Sequence, residues 1–152
     1  MNTPQNPDEL LVRLLGLRAR CNLNTRSSVF LELESATRYG SVRILADRHG
    51  RPCGYVALAS LNKESFVRFR HHGELPKNAW EWNEGHLVVV TDCMWKSLKL
   101  AELLRQLREA VGRARVVGYR RDGLIKICTR RHNIFRFAEI KLLTETHAIA
   151  RN

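Results

Sequence analysis

Val88-Val89-Val90-Thr91 is a β-branched run that drives into a lone carboxylate, Asp92, and an amphipathic helical pattern begins at Ser97. A run apolar at successive positions has no polar side to offer to water, so as a strand it must be covered on both faces. That condition selects a layered fold with helices against a sheet. His86 to Thr91 is therefore expected to be the central strand. Ser97 to Val111 is the best helix in the chain: Leu98, Ala101, Leu104 and Leu107 repeat along it, Leu100 and Leu103 widen the stripe, and Gly112 stops it. Aspartate is a poor strand residue. Asp92 has two readings, as a cap for the following helix or as a reactive group at a strand end, where α/β proteins collect them.

The flanking segments fill in the architecture. Asn6-Pro7-Asp8-Glu9 is a helix start with a capping side chain, a proline at the first turn and acids at the positive end of the dipole. Leu10, Leu11, Leu14, Leu15 and Leu17 carry that helix to about Arg20. Ser28 to Glu34 fits a helix or a strand. Ser41 to Asp47 and Cys53 to Ser60 read as a hairpin turned at Arg48-His49-Gly50-Arg51-Pro52. Asn62 caps a helix to about His72. Gly73 to Glu84 reads as a loop anchored by Trp80 and Trp82. Ala114 to Tyr119 and Leu124 to Thr129 flank Arg120-Arg121-Asp122-Gly123, a second hairpin signal, and Asn133 to Leu143 adds a further strand. The order is that of an α+β domain with a mostly antiparallel sheet flanked by helices.

Charge and cysteine usage limit the functional classes. A formal net charge of +11 calls for an acidic partner such as nucleic acid, anionic lipid or an acidic protein. The basic runs at Arg113 to Arg121 and Arg130-Arg131-His132 fall on or beside the second hairpin and are expected to form one patch. Cys21, Cys53, Cys93 and Cys128 are too far apart for a zinc site, so no metal is expected, and they read as reduced thiols of a cytoplasmic protein. No apolar run reaches membrane-spanning length, and the polar N-terminus does not read as a signal peptide. The P-loop, GxGxxG, HExxH and GxSxG signatures are absent. His71-His72 lacks the following aspartate of the paired-histidine acyltransferases and reads as a solvated helix end.

Several segments, in order, carry a resemblance. Arg43-Ile44-Leu45-Ala46-Asp47-Arg48 precedes Pro52-Cys53-Gly54-Tyr55-Val56-Ala57-Leu58-Ala59-Ser60-Leu61. Trp80-Glu81-Trp82-Asn83-Glu84-Gly85 follows, then Leu87 to Trp95, then the basic stretch Arg113 to Ile127. Together they resemble the RTX toxin-activating lysine acyltransferases, also called hemolysin-activating proteins, a divergent branch of the GNAT-like fold. The likeness covers Val42 to Cys128. It implies a single 1–152 domain, with residues 1–25 as an N-terminal helix and connection and residues 40–130 as the matched core. It implies a GNAT-like sheet and transfer of a fatty acyl group from acyl carrier protein to protein lysines, with no bound cofactor. The family's catalytic aspartate falls on Asp92. Where the family carries an essential histidine, this chain has Cys21-Asn22-Leu23, and its first histidine is His49. The turn Asp92-Cys93-Met94-Trp95-Lys96-Ser97 has no glycine, so it offers no cradle for a coenzyme A pyrophosphate.

The chemistry sets what such a site must supply. A lysine amine is protonated at neutral pH, so transfer needs a base and donors for the tetrahedral oxyanion. Asp92 can hold the ammonium, orient a base, or take the proton itself. Trp95, Lys96, Arg120 and Arg121 are the candidates for binding substrate or the acidic carrier. Two other readings fit the charge: a non-catalytic basic nucleic-acid-binding protein on the same scaffold, and a protein-interaction module or inhibitor directed at an acidic partner. A homodimer is compatible with each.

Overall fold

The computed structural model describes residues 6–39, 41–121, 124–131 and 134–141. Helix α1 (Pro7–Arg20) starts as the sequence dictates, with Asn6 Oδ1 accepting the Asp8 N–H at 3.1 Å. It buries Leu10, Leu14 and Leu17. The undecided segment is a helix, α2 (Ser27–Arg38), which buries Leu33 and Ala36. Strands β1 (Val42–Ala46) and β2 (Pro52–Leu61) form the first hairpin. Helix α3 (Lys63–His72) is capped by Asn62 Oδ1, which accepts the Ser65 N–H at 2.8 Å, and it stops at Gly73, whose φ of +68° suits glycine.

Strand β3 (Leu87–Trp95) leads to helix α4 (Leu100–Val111), followed by β4 (Val116–Arg121), β5 (Leu124–Arg131) and β6 (Ile134–Lys141). The sheet order is β1-β2-β3-β4-β5-β6. Every pairing is antiparallel except β3 with β4, which the α4 crossover makes parallel. The fold is thus α+β with a mostly antiparallel sheet, and it is consistent with a GNAT-like arrangement. The Asp122-Gly123 turn lies outside the described residues.

Helices α1, α2 and α3 cover one face of the sheet around Leu14, Leu33, Tyr55, Phe69, Val89 and Ile125. Helix α4 covers the other face, where Leu103 meets Leu45, Val56, Leu58, Val88 and Val117. β3 gives Val89 to one core and Val88 to the other, which is why its sequence is apolar at successive positions.

Four expectations need correction. β3 continues four residues past Thr91, so Asp92 lies within the strand and not at its end. α4 begins at Leu100, not Ser97, and its N-cap is Lys99 without a side-chain bond, so Asp92 caps nothing there. Leu103 is the α4 residue turned fully inward, whereas Leu100 and Leu104 of the expected stripe are exposed. Trp82 does anchor its segment, buried and donating from Nε1 to the Pro76 carbonyl at 3.1 Å, but Trp80 is 61% exposed.

Candidate functional site

One extra residue in β3 decides where Asp92 points. Leu58 of β2 pairs with Val90, and Ala57, the preceding residue of β2, pairs with Asp92. Thr91 has no partner on β2 and forms a bulge. Strict alternation would place Asp92 opposite Val89, on the α4 side. The bulge absorbs one step, so Asp92 shares the face covered by α1, α2 and α3 with Val89, Ala57 and Tyr55.

On that face Asp92 meets two partners. Arg18, in the last turn of α1, donates from Nη1 to Asp92 Oδ2 at 2.7 Å and to the Tyr55 hydroxyl at 2.9 Å. Tyr55 donates its own hydroxyl hydrogen to the same Oδ2 in a short bond. The guanidinium also bonds the Asn24 carbonyl through Nη2 (2.9 Å) and Thr25 Oγ1 through Nε (3.1 Å), which ties the α1–α2 connection to the sheet. Arg18 is 6% exposed and the Asp92 side chain 20%. Burial pushes the Tyr55 phenol well above its ordinary range, and the bond to Asp92 adds to the shift. Burial acts against the Arg18 cation, but Tyr55 and Asp92 outweigh it and hold Arg18 above its ordinary value. Both protein bonds fall on Oδ2. Oδ1 accepts none among the described residues.

The parallel pairing of β3 with β4 ends two residues before Asp92. β3 and β4 are paired only at Val88–Val117, Val89–Gly118 and Val90–Tyr119. Beyond that point β3 carries on through Thr91 to Trp95, while β4 carries Arg120 and Arg121 without further pairing to it. The C-terminal ends of parallel strands are where α/β sheets receive ligands. Arg120 donates to Glu32 Oε1 of α2 and to the Gly73 carbonyl, each at 3.0 Å. Burial pushes the Glu32 carboxyl above its ordinary value, against the pull of Arg120, and the Asp92 charge pushes it further. The hydroxyl of Thr91, in the bulge, is buried and has no hydrogen-bond partner among the described residues.

Trp95 and Lys96, at the end of β3, line a cavity of about 320 Å³ together with Met94 and residues 20–23. The structure therefore brings Trp95 and Lys96 beside the Cys21-Asn22-Leu23 segment, three and four residues beyond Asp92 in the chain. Arg121 is exposed near the second hairpin turn. Arg120, an expected docking residue, is engaged with Glu32 and Gly73. His71 and His72 are exposed at the end of α3. Cys93 faces the α4 core, and burial, helped by the Asp92 charge, pushes its thiol up to about 12. No helix among the described residues is long and apolar enough to cross a membrane.

Sequence reasoning passed over Arg18, Tyr55 and Glu32. Arg18 did carry a signal, since it follows Leu10 and Leu14 at helical steps of four and so sits on the apolar stripe. An arginine there needs a buried partner. Compared with known proteins, the chain matches no family model and no curated protein.

Proposed function

We propose that this protein transfers a fatty acyl group from acyl carrier protein to a lysine side chain of a protein target. The observation that carries the reading is Asp92, turned by the Thr91 bulge onto the face covered by α1, α2 and α3 and held through Oδ2 by Arg18 and Tyr55, where β3 and β4 part. Held in this way, Asp92 keeps Oδ1 for a cationic amine and cannot swing away from it. The acyl thioester enters from the cavity lined by Trp95 and Lys96. The lysine Nζ attacks the thioester carbonyl, a C–N bond forms and the C–S bond breaks. The carrier thiolate leaves with one proton, and the second proton of the ammonium passes to a base. A thioester is already activated, so positioning supplies much of the remaining acceleration. The carrier's acidic surface matches the excess of basic groups, including Lys96 and Arg121.

The test uses octanoyl- and palmitoyl-acyl carrier protein as donors and a lysine-rich polypeptide as acceptor, followed by intact mass spectrometry. Wild-type protein is expected to add acyl masses, and Asp92→Ala is expected to abolish the addition while keeping the fold. Equal transfer by Asp92→Ala would remove Asp92 from the reaction. The nucleic-acid reading gains no support from the site, because Arg120 is drawn into an internal ion pair.

A further inference from the structure

The Arg18–Tyr55–Asp92 group leaves one requirement of the proposed reaction unmet. Asp92 spends Oδ2 on a cation and a phenol, and among the described residues its side-chain partners include no histidine. Glu32 is a second carboxyl on this face, and its charge interaction with Asp92 places it near that residue. It projects from α2 and is anchored by Arg120, the residue after the last β4 partner of β3. Parallel neighbours are about 4.8 Å apart where they pair. Asp92 and Arg120 leave that point on the same side of the sheet, as their bonds to Arg18 of α1 and Glu32 of α2 require. The side chain of Glu32 is 19% exposed, so it is buried enough to be perturbed and open enough to be reached.

Resting on the acyl-transfer reading, we propose that Glu32 is the proton acceptor for the incoming lysine ammonium, with Arg120 as the residue that positions it. The two carboxylates then divide the work. Asp92 holds the ammonium through Oδ1, and Glu32 takes one proton from it before the Nζ–C bond forms. The other proton leaves with the carrier thiol when the C–S bond breaks. The charged groups acting on Glu32 are Arg120 from β4 and Asp92 from β3, and burial acts with Asp92. A carboxyl raised in this way is a better base near neutral pH than an ordinary one, because catalytic efficiency rises as the base approaches the working pH.

The experiment compares two acceptors with palmitoyl-acyl carrier protein as donor. N-acetyl-lysine methylamide is protonated at neutral pH and needs a base, whereas hydroxylamine is unprotonated and does not. Glu32→Gln is expected to lose transfer to the lysine acceptor by about 10²–10³-fold, and to keep transfer to hydroxylamine within a few fold. Equal loss toward both acceptors, or loss toward neither, overturns the assignment. Arg120→Gln supplies a second readout. Without its cation the Glu32 carboxyl is raised further, so the acidic limb of the lysine-transfer profile moves to higher pH. An unmoved limb overturns the proposal, and this readout decides if Glu32→Gln does not fold. Wild-type protein that transfers to neither acceptor instead refutes the acyl-transfer reading itself.

Discussion

Replacing Arg18 with methionine tests whether the buried cation and Asp92 act as a unit. Methionine keeps the unbranched stem and removes four donated bonds, to Tyr55, Asp92, Asn24 and Thr25. Each such bond contributes about 1 kcal/mol net, and somewhat more where a charge is involved. Removing one partner of a fully buried ion pair costs about 3–5 kcal/mol. Asp92 is one-fifth exposed and keeps its bond from Tyr55, so the expected loss for Arg18→Met is lower, about 2–4 kcal/mol. In a chain of 152 residues that lowers Tm by roughly 5–12 °C. Asp92→Asn leaves the guanidinium with Tyr55, Asn24 and Thr25 but no counter-charge, at about 2–3 kcal/mol. The double variant then removes both charges together and is expected to cost about 1–2 kcal/mol less than the sum of the single changes. Urea unfolding followed by far-UV circular dichroism at pH 7 gives all four corners of the cycle. A coupling energy below about 0.5 kcal/mol would show that Arg18 and Asp92 are neighbours without being partners, and the account of the site would fail.

Three further outcomes are expected. Thr91→Val replaces a buried hydroxyl that has no partner among the described residues with a methyl group of similar size, so it should raise stability by about 1 kcal/mol in the same unfolding assay; a loss of that size would mean that the hydroxyl is satisfied in solution. Gly85→Ala would set a Cβ 1.9 Å from the Leu61 carbonyl oxygen, where only backbone can move, and should cost about 2–4 kcal/mol, with a wild-type melting curve as the refuting result. Cys93, pushed up to about 12 by burial and by the Asp92 charge, stays a thiol between pH 7 and 9, so iodoacetamide followed by peptide mass mapping should leave it unlabelled in the folded protein and label it in urea. Rapid labelling of native Cys93 would contradict its place against the α4 core.

Much of the fold could be read from local patterns because those patterns have local causes. Asn6 and Asn62 cap helices through bonds that span two or three residues, and Gly73 ends α3 through its own backbone freedom. The β3 run revealed coverage on both faces because apolar side chains at successive positions admit no other arrangement. What escaped depends on pairing across long separations. The bulge at Thr91 exists only relative to β2, and it alone decides which face receives Asp92. Arg18 and Asp92 are 74 positions apart, and Glu32 and Arg120 are 88 apart. The α2 segment was ambiguous because Val29, Leu33 and Ala36 are helically spaced while Val29, Leu31 and Leu33 also alternate. Tertiary burial of Leu33 and Ala36 resolves it as a helix. The residue pattern stops the strand at Thr91, because Asp92 reads as a strand terminator until a partner for its charge is known, whereas the family resemblance runs through Leu87 to Trp95.

The short β3–β4 seam makes this sheet two leaves joined along a narrow spine. β1 to β3 form one leaf and β4 to β6 the other, and three residue pairs hold them edge to edge. The leaves are also stitched from above, since Gly118 admits the Phe69 ring of α3 into a space that a Cβ would intrude upon, 2.9 Å from its nearest atom. Both cores also span the seam, with Ile125 packed in one cluster with Tyr55 and Val117 in the other with Val56, so a ligand that wedges between Thr91 and Arg120 works against packing on both faces, and amide hydrogen exchange at Val88–Val90 should be slow although only three residue pairs join the leaves.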